Sequence, residues 1–383
     1  MKSLFLKKYP GPCFTPGSGS AVVLLFLLLV RSVFLPAAET DPLASFSDPA
    51  RVWGNGVEAV IEEAYRECFK TFIIGRRVMT LRMPFAQNYE RSELADTEWE
   101  FIGGGKADPS FLWNIIGAVL ESDDFSRYAS EISNGREKVM ILDIPSRTWT
   151  TSQDIFDIAR MKAGSYRGLP HRPYVLSGGD EISQSDVYNY LYCIGWAGMD
   201  CSGFVWHILN YTARRGGLDL GSALRRSLGA PRPGDAARYA GTRFFNSRSP
   251  EILSVDDRVG NLRPLDVLLF RGADGSMVHS AIIQSVNLGT GTIRYLQCTD
   301  EAPLNERGVH ESYIHFDPAH PEWRLGDERI QWSQARYPPF PGEKPAPFSD
   351  DGQRFRAFPE LGGGRVVRLR ALAAPVQRIN RAR

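Results

Sequence analysis

Four short apolar runs with strand-like composition follow one another closely in the second half of the chain. They cover residues 267–270, 277–286, 292–298 and 310–316, and a tight turn rich in glycine separates the first two. Helical patterns precede these runs. Helices followed by an antiparallel meander predict an α+β fold with an antiparallel sheet.

The composition of the 383 residues is ordinary for a soluble globular protein, because 43% are hydrophobic and 23% are charged. These values exclude a disordered chain, a collagen and a polytopic membrane protein. Lys and Arg total 45 against 44 for Asp and Glu, so the net charge is only +1. A nucleic-acid-binding protein normally carries an excess of basic residues, and we therefore expect no nucleic-acid partner.

Residues 1–38 have the pattern of an export signal. Lysines at positions 2, 7 and 8 precede ten apolar residues at 21–30, and small residues follow at Ala37 and Ala38. The apolar run is shorter than the ~20 residues that span a bilayer, so we expect cleavage near Ala38. The protein would then work outside the cytoplasm, in the periplasm or at the cell wall. An uncleaved N-terminal anchor is the alternative, and it would be the protein's one link to a membrane.

Residues 50–150 have the pattern of a small α+β module whose role the sequence does not reveal. Apolar residues at helical spacing predict a helix over 57–72, and Cys68 lies on this stripe as a core thiol. The other predicted elements are strands over 77–85, 99–102 and 138–144 and a helix that starts at Asp108 and Pro109 and ends near residue 120.

Two further segments complete the predicted organisation. Residues 151–335 are predicted to form a second unit, which opens with a helix over 153–164. Residues 336–383 are rich in proline and then in arginine, which predicts a solvated C-terminal extension. Contact between this basic extension and anionic wall polymers is the alternative.

The cysteines are too few and too widely spaced for a disulfide scaffold. Cys68, Cys193, Cys201 and Cys298 remain after the signal segment, and no two of them form a C-x-x-C pair. This spacing excludes a zinc ribbon and a thioredoxin-like motif. A bridge between Cys193 and Cys298 stays open.

The segment over 199–205 combines a nucleophile with the start of a helix. Asp200 is suited to be an N-cap, and the apolar residues after it form the inward face of a helix. Cys201 would then lie in the first turn, where the helix dipole and unpaired N–H groups favour a thiolate and can bind an oxyanion. A buried cysteine at a helix start is the structural alternative.

His279 is the candidate general base, because it lies inside the apolar strand over 277–283. Gln297, on the next predicted strand, could hydrogen bond the second ring nitrogen and fix its tautomer. The alternatives are a satisfied core histidine and an ordinary polar strand residue. His207 is six residues beyond Cys201, about 120° around the helix, and cannot reach the sulfur.

Together these motifs resemble those of the NlpC-type cell-wall cysteine peptidases over about residues 150–317. The resemblance is carried by Asp-Cys-Ser-Gly-Phe-Val at 200–205, Pro-Tyr-Val and Gly-Gly within 173–179, Leu-Arg-Pro-Leu-Asp at 262–266, and His279. It implies a papain-like catalytic domain with a helix-borne cysteine and an antiparallel sheet. The implied catalytic residues are Cys201, His279 and Gln297, and the implied substrate-binding residues are Tyr174, Asp200 and Ser202.

The resemblance also implies a reaction, the hydrolysis of amide bonds in peptidoglycan stem peptides. The long segment between Cys201 and His279 implies an insertion over 215–255 that reshapes specificity. Two alternatives remain open: an amidase or acyltransferase with the same Cys–His dyad, and a non-catalytic wall-binding scaffold.

We expect no metal and no nucleotide cofactor. The sequence His-Glu-Ser-Tyr-Ile-His at 310–315 has one residue more than the zinc-binding H-E-x-x-H motif. On a strand its two histidines would face opposite sides. No glycine-rich nucleotide-binding motif follows a predicted strand.

Overall fold

The computed structural model describes residues 56–86, 107–130 without 124, 127 and 128, 139–143, 148–150, 174–175, 182–194, 197–299, 308–334 and 351–373. The predicted signal over 1–38, the predicted strand over 99–102 and the predicted helix over 153–164 lie outside these ranges. No helix within these ranges is long and apolar enough to cross a membrane.

The first described elements are a helix and a hairpin. Helix α1 (Val57–Arg66) is followed by the antiparallel strands β1 (Phe69–Ile74) and β2 (Arg77–Arg82). The predicted helix over 57–72 is therefore too long at its C-terminal end. The reason is the turn at Gly75, whose positive φ of 62° lets β1 fold back and pair with β2.

Helix α2 (Pro109–Leu120) and strand β3 (Val139–Asp143) confirm their predictions. The Asp108 carboxylate accepts hydrogen bonds from two N–H groups of the first turn of α2, and Pro109 occupies the turn itself. Strand β3 lies between β4 (Thr148–Thr150) and β5 (Tyr174–Val175) in an antiparallel three-stranded sheet.

Five helices follow in the order of the chain. They are α3 (Gln184–Ile194), α4 (Cys201–Arg215), α5 (Leu220–Leu228), and the short α6 (Ala236–Tyr239) and α7 (Thr242–Phe245). The segment predicted as an insertion, 215–255, thus holds the last three of these helices and strand β6 (Ile252–Val255).

A seven-stranded antiparallel sheet forms the rest of the fold, in the order β11-β10-β9-β8-β7-β12-β6. Its further strands are β7 (Val267–Arg271), β8 (Met277–Asn287), β9 (Thr292–Thr299), β10 (Gly308–His315), β11 (Gln331–Gln334) and β12 (Arg365–Leu369). Strands β7 to β10 confirm the four predicted runs, and the fold is α+β as predicted. Helix α8 (Asp351–Arg356) lies between β11 and β12 in the chain.

The inner strands of the seven-stranded sheet are buried on both surfaces. Successive strand residues point to opposite sides, so each surface has its own set of side chains. One side, here called the α4 surface, includes Leu269, Ile282, Leu296 and Cys298, and these share a core with apolar residues of α1 and α4. The other side, here called the α8 surface, includes Phe270, Ile283, Tyr295 and Ile314, and these share a core with Phe355 of α8.

The core on the α4 surface crosses the predicted domain boundary near residue 150. Val57 and Ile61 of α1 belong to the same buried cluster as Phe204 of α4. An ion pair of 2.7 Å between Arg294 on β9 and Glu62 on α1 reinforces this contact. All described residues belong to a single compact unit. The domain boundaries at 150 and 335 stay predictions.

The interpretation of the C-terminal segment as a solvated extension is wrong for residues 351–373. Strand β12 lies inside the sheet, where it pairs with β7 and β6. Arg368 forms a bidentate ion pair with the buried Asp266, with distances of 2.6 and 2.7 Å. Arg365 and Arg368 are interspersed with the buried residues Val366, Val367 and Leu369, so the basic composition conceals an apolar strand.

We expect Leu369→Ala to reduce the free energy of unfolding by about 2–5 kcal/mol, because Leu369 is 1% exposed in the core. Leu361→Ala is the matched control, since Leu361 belongs to the same segment but is 43% exposed. Its effect should stay within about 0.5 kcal/mol. Urea unfolding followed by circular dichroism measures both. Equal, negligible losses would restore the solvated extension.

Candidate functional site

Cys201 is the first residue of α4, and its neighbours cap that helix. The Asp200 carboxylate accepts hydrogen bonds from the Gly203 N–H and, at 2.9 Å, from the Ser202 hydroxyl. The predicted N-cap is therefore confirmed. The side chains of Asp200 and Ser202 are hydrogen bonded to each other, and Asp200 also caps the helix. Their predicted contacts with substrate stay predictions. Cys201 itself is 9% exposed.

The residues before Cys201 are tied to the sheet and to the segment after β2. The Met199 carbonyl accepts hydrogen bonds from the Cys298 thiol at 3.1 Å and from the Ala86 N–H at 3.1 Å. The Met199 N–H donates to the Pro84 carbonyl at 2.9 Å. A side chain at Gly198 would collide with that same carbonyl, so the approach requires glycine. These contacts hold the start of α4 at the end of β9.

The open question of a bridge between Cys193 and Cys298 is answered by the state of Cys298. Cys298 carries a thiol that is hydrogen bonded to backbone and is in no disulfide. Cys68 is fully buried, as predicted for a core thiol. Burial raises the pKa of Cys68, because the thiolate would be desolvated.

His279 and Gln297 lie side by side on strands β8 and β9. The distance between His279 Nε2 and Gln297 Oε1 is 2.8 Å, and both side chains are buried. The imidazole also packs against the Phe270 ring, with a centroid distance of 5.2 Å. The structure therefore brings together the two strand residues that the sequence analysis paired.

Asp351, the first residue of α8, joins this pair and was missed by the sequence analysis. Its carboxylate accepts hydrogen bonds from Gln297 Nε2 at 2.7 Å, the Tyr295 hydroxyl at 2.6 Å and Gln334 Nε2 at 2.9 Å. Arg354 adds an ion pair at 3.2 Å. The only sequence signal was an acidic residue in a segment interpreted as solvated, and that signal does not point to a buried site.

The pKa of Asp351 is lowered although the group is buried. Desolvation by burial acts to raise its pKa, but hydrogen bonds from Tyr295, Gln334 and Gln297 and the charge of Arg354 lower it more. Asp351 is therefore a carboxylate at neutral pH. The pKa of Tyr295 is raised, first by burial and then by the charge of Asp351. Its hydroxyl therefore stays protonated and donates a hydrogen bond to Asp351.

The buried histidines of this region are neutral at pH 7. Burial and the nearby Arg354 charge lower the pKa of His279 to about 3, against the opposing effects of Asp351 and Gln297. Burial and Arg82 lower the pKa of His310 to about 4. A general base works best with a pKa near the working pH. His279 is thus a weak base in this closed environment.

The start of α4 and His279 lie at the same end of the sheet, but α4 packs on one surface of the sheet and His279 lies on the other. Gln297 and its neighbour Cys298 are both at the end of β9 that the start of α4 approaches. Alternation places Gln297 with Tyr295, and His279 with Ile283, on the α8 surface. Helix α4 packs on the other surface. The structure therefore places His279 on the surface opposite the one that α4 covers.

The remaining predicted residues have separate positions. The backbone of Tyr174 pairs with Met140 in the three-stranded sheet, and its side chain lies outside the described part. His207 is buried under α1, where its Nε2 is 2.9 Å from the Ala64 carbonyl oxygen. Burial lowers the pKa of His207 to about 4. This contact agrees with the expectation that His207 points away from the sulfur of Cys201.

Within the described ranges, no cluster of three or more His, Cys, Asp or Glu side chains could hold a metal ion. His310 and His315, the ends of the zinc-like motif, both lie on β10. His310 is buried, whereas His315 is exposed beside Ser333. The two imidazoles therefore do not converge.

Comparison with known proteins adds no relative to this description. No family model matches the chain, and no curated protein or solved structure matches it. The resemblance to the NlpC-type peptidases therefore rests on its motifs alone.

The three buried histidines predict a loss of stability in mild acid. An unfolded histidine has a pKa near 6.5, whereas the folded values are about 4 for His207, about 3 for His279 and about 4 for His310. Unfolding therefore takes up protons between these limits. Stability is complete above about pH 6.5 and falls toward pH 4, with a slope near pH 5 of about 3–4 kcal/mol per unit.

Urea unfolding between pH 4.5 and 7.5 measures this slope. His207→Gln should reduce it by about one proton, or about 1.4 kcal/mol per pH unit. His315→Gln should leave it unchanged, because His315 is exposed. An unaltered slope in His207→Gln would contradict the assignment of a buried neutral imidazole.

Proposed function

We propose that this protein is an exported cysteine hydrolase that cleaves amide bonds in peptidoglycan stem peptides, with Cys201 as the nucleophile. The observation that carries the proposal is the position of Cys201 at the start of a capped helix of 15 residues, at the end of the sheet that also holds His279 and Gln297. A papain-like arrangement of the cysteine and the histidine is part of the proposal.

The start of α4 supplies the electrostatics that a thiol nucleophile needs. The positive end of the helix dipole lowers the free energy of a thiolate relative to a thiol. The same end stabilises the negative oxygen that forms when the sulfur attacks an amide carbonyl. The Gly203 N–H already donates to the Asp200 carboxylate, so the other N–H groups of the first turn would bind that oxygen.

In this mechanism His279 takes the proton of the Cys201 thiol and gives it to the leaving amine. It then takes a proton from the water that attacks and releases the acyl group. Its neutral imidazole has one nitrogen bonded to Gln297 and one able to accept a proton. Because His279 lies on the α8 surface, the transfer requires Cys201 and His279 to approach each other at their shared end of the sheet. Burial of the imidazole would decrease in that state, and its pKa would rise.

A non-catalytic wall-binding protein is the second candidate function. The observation that favours it is the position of His279, which is held in a buried network on the surface opposite the one that α4 covers. In that case the polar network on the α8 surface serves the stability of the sheet alone.

We expect Cys201→Ala to abolish release of fragments from purified peptidoglycan while leaving the unfolding transition intact, because a small side chain suits the first helical turn. Mass spectrometry of the wild-type digest should show new amino termini on the diamino acid. Cys298→Ser is the matched control, since it changes a second buried thiol near the same end of the sheet and should retain turnover. Turnover by a folded Cys201→Ala protein would exclude Cys201 as the nucleophile.

The role of His279 can be separated from a structural one by the pH dependence of thiol alkylation. If His279 pairs with Cys201, His279→Gln should raise the apparent pKa of the thiol and slow hydrolysis by about 10²–10⁴-fold. His207→Gln is the control and should change neither quantity. A thiol titration in His279→Gln that equals the wild type, with lowered stability, would favour the non-catalytic protein.

A further inference from the structure

His279, Gln297 and Asp351 form a continuous chain of hydrogen bonds from β8 through β9 to α8. We propose that Asp351 is a positioning residue that fixes the tautomer of His279 through the Gln297 amide, so that Nε2 carries the proton and Nδ1 is the basic nitrogen. The assignment of the tautomer stands on geometry, and its consequence for catalysis rests on the proposed function.

Asp351 can only accept hydrogen bonds. Three donors point at the same oxygen, Oδ2, from Tyr295, Gln297 and Gln334 at 2.6–2.9 Å. Arg354 is bonded to the other oxygen. A carboxylate with four donors around it has no proton of its own to offer.

The Asp351 carboxylate fixes the orientation of the Gln297 amide. Gln297 Nε2 donates one hydrogen to Asp351 Oδ2 and the other to Ser312 Oγ, at 2.7 and 2.9 Å. Rotation of the amide by 180° would place Oε1 at the same short distance from Oδ2. Two acceptor oxygens would then face each other in a buried site, which is strongly unfavourable.

The fixed amide determines which ring nitrogen of His279 carries the proton. With its amide fixed, Gln297 presents the acceptor Oε1 to His279 Nε2 at 2.8 Å. Nε2 must therefore be the protonated nitrogen, and a neutral imidazole then has an unprotonated Nδ1. The charged and titratable groups that act on this ring are Arg354, Asp351 and His310, and the positive charge of Arg354 opposes a second proton.

This chain of hydrogen bonds makes the C-terminal segment part of the candidate site. Asp351 lies in α8, and α8 is held against the sheet by the packing of Phe355 on Phe270, with a centroid distance of 5.8 Å. Arg354 lies over the same Phe270 ring. A tautomer chosen by Asp351 would therefore depend on correct docking of α8 on the α8 surface.

The test is nitrogen-15 NMR of the full chain labelled in histidine, at pH 7. The signals of His279 are assigned from their loss in His279→Gln. We expect the wild type to show a protonated Nε2 and an unprotonated Nδ1. In Asp351→Asn the residue at 351 can donate as well as accept, so the Gln297 amide is no longer fixed. We then expect a mixed or reversed tautomer, with a kcat reduced by up to about 10⁴-fold if the wrong tautomer predominates.

Two control variants separate the effect of the Asp351 charge from disturbance of packing. Tyr295→Phe removes one donor to Asp351, and Ser312→Ala removes the other partner of the Gln297 amide, but both leave the carboxylate in place. Neither should change the tautomer. A wild-type His279 protonated on Nδ1 overturns the proposal without any variant, and so does an unchanged tautomer in folded Asp351→Asn.

The spectra are also recorded in the Cys201→Ala variant, so that the result does not depend on activity. If His279 has the expected tautomer but the wild-type protein does not hydrolyse peptidoglycan, the role of Asp351 is retained and the proposed function is rejected. If the wild-type protein hydrolyses peptidoglycan but His279 has the opposite tautomer, the proposed function is retained and the role of Asp351 is rejected.

Discussion

Burial of both surfaces of the seven-stranded sheet is the constraint on which the rest of the structure depends. Helices α1 and α4 cover one surface and α8 covers the other, so each strand residue belongs to one of two separate cores. Apolar burial of this kind is the main favourable term in folding. It also decides the surroundings of every polar residue on the strands, because a side chain of β8 or β9 can reach only one of the two cores.

The polar network of His279, Gln297 and Asp351 follows from that constraint. A polar group in a core is tolerated when its hydrogen bonds are satisfied, and an isolated charge is not. Asp351 meets this condition with donors from Tyr295, Gln297 and Gln334 and with the charge of Arg354. Burial and the charge of Arg354 keep His279 neutral, and the hydrogen bond to Gln297 orients its ring. Stability and the candidate chemistry thus depend on one set of hydrogen bonds, and this makes the C-terminal helix as important as the strands.

The start of α4 is organised in a different way. Its cap is local, because Asp200, Ser202 and Gly203 are neighbours in the chain. Its position is not local, because Met199 is hydrogen bonded to Pro84, Ala86 and Cys298. A nucleophile here would be presented by a rigid element whose location depends on three distant segments. The proposed mechanism needs this element and the polar network to meet at the end of the sheet that they share.

Local patterns in the sequence predicted the α+β class, strands β7 to β10, the cap of α2 and the helix start at Cys201. Each of these is decided by residues within a few positions of one another, through capping hydrogen bonds or the period of a strand. Only the tertiary structure decided that β12 enters the sheet, that Asp351 contacts Gln297, and that His279 and α4 lie on different surfaces. Alternation along a strand shows which residues share a surface, but the choice of the helix that covers that surface is made by packing between distant segments.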